Sequence, residues 1–378
     1  MPSKAPDQSR TSRRSSTRLR SFGAIAKSRM QRTNLEPGEI VVLYPTFGHL
    51  LEDGQTWRIA VQGTVFEAGQ VGFRKRLLLR LLQRVMQVRP EDLDSEIFRQ
   101  RIRGFIAVTE RGKRITVRIG TKSQMLRKAS NRNGLFSGAI RLSADEVKAM
   151  EDEGHANSNW LQIETIDPHG ANGHFHAGVQ LLKDEGTSVI SDIDDTIKHT
   201  EVLCRRSLLA NTFLNEYRSI DGMAELYRSW AAQGADFHYV SSSPWQLFQP
   251  LYDLCQSAGF PAGSFHLRSF RLRDHMLRRF PLLRRRGKAS VINALVRLFP
   301  KRRFALVGDS GEKDPEIYGD VARHFPDRVS AILIRDLPAR GLDASRERRA
   351  FRNIPPEIYS VFRQPEEILH RLPSVNSP

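Results

Sequence analysis

Ser188-Val189-Ile190-Ser191-Asp192-Ile193-Asp194-Asp195-Thr196-Ile197 runs from β-branched apolar residues straight into a knot of acids. Such a pattern is expected where a buried strand ends at an active site. Three carboxylates within four positions repel one another, and a divalent cation is the usual means of offsetting that charge.

Working outward, strand-like runs at 187–191, 236–241, 303–308 and 329–334 alternate with helical stretches at 221–233, 245–258, 288–298 and after Pro315. That rhythm predicts an α/β fold, a parallel sheet with helices on both faces. Ligands of such sheets sit at the carboxyl ends of the strands. Asp192, Asp194 and Thr196 follow the first run. Ser241, Ser242 and Ser243 follow the second, and Gly308, Asp309 and Asp314 follow the third. Lys288 stands near a helix start, behind Arg284, Arg285 and Arg286. A solvated acidic turn and a calcium loop are the plainer readings of the acidic knot. It lacks the later Gly and Glu of an EF-hand.

This order resembles the four motifs of the haloacid dehalogenase superfamily of phosphotransferases. Asp192, Asp194 and Thr196 match its DxDx[TV] motif, Ser241 its second motif with Ser242 as a substitute, Lys288 its third, and Gly308, Asp309 and Asp314 its fourth. Ser-Asp-Ile-Asp-Asp-Thr-Ile-Lys, Ser-Ser-Pro-Trp-Gln-Leu and Gly-Asp-Ser-Gly-Glu-Lys-Asp-Pro-Glu-Ile-Tyr are similar to the catalytic domain of the actin-patch-associated phosphatidate phosphatases, over about residues 186–336. The resemblance implies a haloacid-dehalogenase-like Rossmannoid sheet and Mg²⁺-dependent hydrolysis of phosphatidate to diacylglycerol. It also implies roles. Mg²⁺ would be held by the Asp192 carboxylate, the Asp194 carbonyl and Asp309, with Asp314 a further ligand or an acceptor behind them. Asp192 would be nucleophile and form an aspartyl-phosphate, Asp194 would be acid and base, and Ser241, Ser242 and Lys288 would bind phosphate. Asp195 is expected to be structural.

The preceding region, from about 39 to 183, carries short alternating runs separated by Gly, Asn and Asp, as in an antiparallel sandwich. A helix is expected over 74–88, with Arg76, Arg80, Gln83, Arg84 and Gln87 on one face, and a second over 90–106. The first either packs on the sandwich or lies on anionic lipid. His174 and His176 share a strand face, as a polar face or as metal ligands. Residues 1–35 hold many Arg and Ser and one acid, Asp7. They are expected to form a disordered basic arm, whether solvated tail, electrostatic tether or transit peptide. The expected organisation is a basic arm over 1–35, a strand-rich β-sandwich-like domain with a helical insertion over 36–183, the catalytic domain over 184–365, and a tail over 366–378.

Fifty-nine basic against 42 acidic residues give a net charge of +17, which attracts polyanions. Cys204 and Cys255 form no CxxC, which argues against a zinc site or disulfide framework. No run of about eighteen apolar residues and no leading apolar segment is present, so a cytoplasmic protein that meets membranes peripherally is expected. Residues 266–288 interleave Arg268, Arg271, Arg273, Arg278 and Arg279 with Phe270, Met276, Leu277 and Phe280. Such a stretch suits an anionic phospholipid surface, a nucleic-acid backbone, or simply a packed basic loop. Too few residues separate the motifs for a cap domain, and in this superfamily an uncapped site goes with large or surface-bound substrates. The alternatives to phosphatidate hydrolysis are a nucleic-acid end phosphatase and a non-catalytic membrane adaptor.

Overall fold

The computed structural model describes residues 34–67, 73–157, 159–166, 176–268, 284–338 and 341–371. Residues 1–33 of the basic arm, His174 and most of the basic-apolar stretch lie outside these residues.

The leading half is strand-rich, as its alternating runs require. Its strands are β1 (Glu39–Leu43), β2 (Thr46–Leu50), β3 (Thr56–Glu67), β4 (Val108–Thr109), β5 (Thr116–Ile119), β6 (Lys122–Met125), β7 (Leu135–Ser143), β8 (Ala156–Asn157), β9 (Trp160–Thr165) and β10 (His176–Leu182). All ten join one hydrogen-bonded sheet. The pairings are antiparallel except for β2 with β10. The sheet curls until β6 stands beside β7, where Lys122 Nζ donates to the Arg141 carbonyl at 3.0 Å. Alternate residues such as Ile59, Val61, Val117, Ile119, Leu161 and Ile163 fill the inside. Among the described residues three α-helices complete this half: α1 (Phe73–Met86), α2 (Glu96–Ile106) and α3 (Ala144–Asp152). The helix expected over 90–106 is divided. Residues Pro90–Asp94 form a 3₁₀ turn, and the Ser95 hydroxyl accepts from the Phe98 amide to start α2 afresh.

The second half holds β11 (Thr187–Ser191), β12 (Ala235–Pro244), β13 (Gly263–Arg268), β14 (Arg303–Asp309), β15 (Val329–Arg335) and β16 (Tyr359–Phe362), with α4 (Arg205–Phe213), α5 (Met223–Ala232), α6 (Phe248–Ser257), α7 (Arg284–Leu298), α8 (Asp314–His324) and α9 (Ala344–Ala350). All six strands are parallel, in the order β13-β12-β11-β14-β15-β16. Neighbouring residues of β11 face opposite ways. Val189 packs with α5 and α6 residues such as Tyr227, Trp230 and Leu251. Ile190 packs with α7 and α8 residues such as Ile292, Val296, Tyr318 and Val321. Helices therefore cover both faces, and β11 is buried along its whole length. Chain order reverses between β11 and β14, so a crevice opens at their carboxyl ends.

The helices α1 and α2 pack with the second half. Leu82, Met86, Phe98, Ile102 and Phe105 share the cluster of Val189 and Tyr227, and Phe105 meets Phe213 of α4 at 5.2 Å between ring centroids. The two sheets also meet directly. Tyr44 meets Phe248 at a tilt with ring centroids 4.7 Å apart, Phe47 meets the His238 ring at 5.6 Å, and the Phe265 amide donates to the Pro45 carbonyl at 3.0 Å.

Candidate active site

The crevice at the switch point collects the acids. The register pairs Ser191 with Val307, so the residues after them, Asp192 and then Asp309, emerge side by side. The Asp192 amide donates to the Val307 carbonyl at 2.9 Å, which carries the pairing one residue beyond the strand. Asp314 opens α8 and turns back onto β14, where its Oδ2 accepts from the Asp309 amide at 3.3 Å and from the Tyr318 hydroxyl at 3.4 Å. That approach explains Gly308. A Cβ there would lie 2.2 Å from Asp314 Oδ2.

Asp192, Asp309 and Asp314 are buried, and each has a carboxylate oxygen within 4.8 Å of the others'. Lys288 Nζ lies 2.8 Å from Asp192 Oδ1 and 2.5 Å from Asp314 Oδ1. One ammonium does not balance three carboxylates. Burial pushes the Asp192 carboxyl well up, Lys288 opposes that, and Asp314 and Glu312 add to it. Burial and then Asp314 push Asp309 up as well. Burial alone would lower the Lys288 ammonium, but the attraction of Asp192 and Asp314 holds it well above the ordinary lysine range. Asp309 Oδ1 accepts from the amides of Gly311 (2.6 Å) and Glu312 (3.0 Å), while its Oδ2 is buried with no hydrogen-bond partner. An unsatisfied buried carboxylate oxygen facing two further carboxylates is the donor set a hard divalent cation takes. The residues fit Mg²⁺.

Asp194 points elsewhere. Its Oδ2 accepts from the hydroxyls of Ser241 (3.0 Å) and Ser243 (2.7 Å). Its Oδ1 accepts from Thr200 (2.9 Å) and lies 3.1 Å from Lys198 Nζ. Burial raises the carboxyl, but the Lys198 charge and the Ser243 and Thr200 hydroxyls outweigh it and bring it down to about 2. Asp195 is fully engaged in the turn. Its Oδ1 accepts from the amides of Thr200 (2.7 Å) and Glu201 (2.8 Å), and its Oδ2 from that of Val202 (2.8 Å). These bonds hold its backbone at φ 56°, a left-handed conformation that Asp tolerates. Arg335, at the end of β15, donates to the Asp195 carbonyl at 2.9 Å and fastens the turn to the sheet.

The structure thus gathers Asp192, Lys288, Asp309 and Asp314 into one cluster, with Asp194 and Ser241 beside it. Thr196 donates to Asp192 Oδ2 at 3.4 Å. Ser242 is half-buried, and Ser243 rather than Ser242 supplies the second hydroxyl to Asp194. Lys198, Thr200 and Ser243 were not singled out for chemistry. Alternation along β12 was the available signal for Ser243, since residues two apart in a strand share a face. Trp245 is buried against Phe66, at 6.2 Å between rings. His176 is exposed at the start of β10.

Residues 187–336 match the family described as phosphatidate phosphatase APP1, catalytic domain. The chain is 40% identical over 155 residues to "Phosphatidate phosphatase APP1" of Saccharomyces cerevisiae, covering 40% of this chain and 26% of that protein. It is 32% identical over 188 residues to an uncharacterized protein of Schizosaccharomyces pombe, covering 49% of this chain and 31% of that protein. The chain therefore spans under a third of the length of these relatives. The resemblance expected from the motifs is shown over residues 187–336, the segment that matches the catalytic domain of phosphatidate phosphatase APP1.

Proposed function

We propose that this protein is a Mg²⁺-dependent phosphatidate phosphatase with a haloacid-dehalogenase-like catalytic fold, working through an aspartyl-phosphate. The observation that carries the reading is the buried trio Asp192, Asp309 and Asp314 around Lys288, with one Asp309 oxygen left unpartnered. Burying so much charge is costly unless a cation and a phosphate ester complete the balance. The match of residues 187–336 supports the substrate class.

Asp192, Asp309 and Asp314 would hold the ion, which supplies neutralisation of the approaching phosphate when bound. Asp192 would attack phosphorus in line, expelling the diacylglycerol oxygen. Lys288, already beside Asp192, favours that carboxylate's ionised form against burial and would meet the charge on the transferring oxygens. Asp194 is poised as an anion, which suits the second step, in which it takes a proton from the water that hydrolyses the aspartyl-phosphate. For the first step it must be protonated. A phosphate group entering beside it repels its charge and favours that form. Ser241 and Ser243 hold its Oδ2 in place for both transfers.

The substrate lies in a bilayer surface. Among the described residues no helix is long and apolar enough to cross one. Support for contact from the cytoplasmic surface comes from the +17 charge and from the exposed Arg80 and Arg84 of α1. The test is to incubate the protein with Mg²⁺ and either phosphatidate in mixed micelles or 3′- and 5′-phosphorylated oligonucleotides. Phosphate release from the lipid is expected. Release from oligonucleotides alone would sink the lipid reading, and release from neither would point to an adaptor.

A further inference from the structure

The loop that holds the Asp194 carboxylate is braced from outside the matched segment. Asp194 Oδ1 depends on Lys198 and Thr200, both on the loop that leads into α4. Asp195 holds the loop's amides at Thr200, Glu201 and Val202, and two further contacts brace it. Lys198 Nζ sits 4.6 Å from the centroid of the Tyr217 ring. The Thr200 carbonyl accepts from Asn211 Nδ2 at 3.1 Å. Both lead to Arg101 of α2, a residue that precedes the matched residues 187–336. The Arg101 guanidinium carbon lies 3.7 Å from the same Tyr217 centroid. Its Nη1 donates to the carbonyls of Asn211 (3.4 Å), Thr212 (3.1 Å) and Asn215. Those carbonyls end α4, where a buried cation satisfies otherwise open acceptors and complements the helix dipole. Arg101 is itself buried, so few alternatives to this geometry are open to it.

We propose that Arg101 is a positioning residue of the active site, through which the leading strand-rich half sets the Lys198–Thr200 clamp on Asp194. This rests on the functional reading above for its consequence in turnover, but not for the coupling itself. Arg101 acts by two routes, the shared Tyr217 ring to Lys198 and the end of α4 to Asn211 and Thr200. The leading half then completes a site whose reacting groups all come from the matched segment.

The test compares Arg101→Met with Phe105→Leu in the full chain. Phe105 lies on the same helix and packs on Phe213, but is not part of the Arg101 contacts. Hydrogen exchange of the backbone amides over 198–202 is read in both variants, beside that over 304–309 as an internal reference. Turnover of phosphatidate micelles with Mg²⁺ is read in parallel. The expected result is faster exchange over 198–202 in Arg101→Met alone. A fall in kcat of about 3- to 30-fold with KM unchanged should accompany it. Arg101→Lys, which keeps a cation over Tyr217 but loses the fork to three carbonyls, should fall between; it also carries the comparison if Arg101→Met does not fold. Equal exchange in the Arg101 and Phe105 variants, or none faster than wild type, would overturn the proposal. Absence of phosphate release by the wild-type protein would instead sink the functional reading and leave the exchange result to decide the coupling.

Discussion

At the scale of the residue, the acids of the opening stretch differ in what holds them. Asp192 faces Lys288 and two carboxylates, Asp194 faces two serines, Thr200 and Lys198, and Asp195 caps its own turn. Lys198 is what offsets burial at Asp194, so Lys198→Met should raise the Asp194 pKa from about 2. The sign follows from the required base. Below a raised pKa the carboxylate is protonated, so the acid limb of the kcat–pH profile should move to higher pH. At neutral pH the loss in kcat should reach up to about 10²-fold. An acid limb that stays in place would mean that Lys198 does not govern Asp194. Asp192, Asp309, Asp314 and Lys288 were legible in the sequence because each stands at or just after a strand end or within the opening turns of a helix, in a fixed order. Lys198, Ser243, Tyr217 and Arg101 were not. Lys198 pairs with Asp194 only four residues away, the other three reach the site by tertiary contacts, and one cation among 59 carries no mark of burial.

At the scale of the element, the site depends on how tightly β14 turns into α8. Gly308 leaves room for the Asp314 carboxylate, and no larger residue can without moving it. Gly308→Ala should cost about 1–3 kcal/mol of stability from overpacking. It should also weaken the metal site. Wild-type protein in Mg²⁺ at 100 times its Kd should gain about 2.7 kcal/mol over the Mg²⁺-free protein, because only the folded chain presents the trio. Calorimetry with and without Mg²⁺ checks both; a Gly308→Ala variant with a wild-type Mg²⁺ shift would contradict this role. The main strands of the parallel sheet were legible because each is a compact apolar run. β13 was not, since His266 and Arg268 interrupt its pattern, nor was α4, whose Leu208, Leu209 and Ala210 cluster instead of recurring at a helical period. The helices α1 and α2 were visible in sequence, but not their docking against the second half, because an amphipathic face does not name its partner.

At the scale of the whole molecule, the two sheets meet over a buried polar seam. His238 is buried, with Nδ1 at 2.6 Å from Ser264 Oγ and Nε2 at 3.3 Å from Ser188 Oγ. Arg302 donates to the same Ser188 oxygen at 3.0 Å and pairs with Asp236, which also accepts from Gln180 of β10 at 2.6 Å. Burial, and then the neighbouring His266 and Arg302, hold the His238 imidazole well below its ordinary 6.5. A lowered folded pKa means that the unfolded chain binds more protons below pH 6.5, so stability should fall as pH drops through that range. Urea midpoints between pH 6.5 and about 5 should fall more steeply for wild type than for His238→Gln. Parallel slopes would remove the seam from the account. The leading half is thus joined to the second by packing, by a polar network and through Arg101, which the sequence could not foretell since these partners lie far apart along the chain. Asp192 is the proposed acceptor of the phosphoryl group of phosphatidate. The most direct test is phosphate release from phosphatidate micelles in Mg²⁺ by wild type and by Asp192→Asn, the latter shown to be folded by its circular dichroism. Lys288 keeps Asp314 as a partner in that variant, so the fold should persist. Release by wild type and a loss of about 10⁴-fold or more in Asp192→Asn are expected; turnover by the variant near the wild-type rate would contradict the assignment of Asp192 as nucleophile.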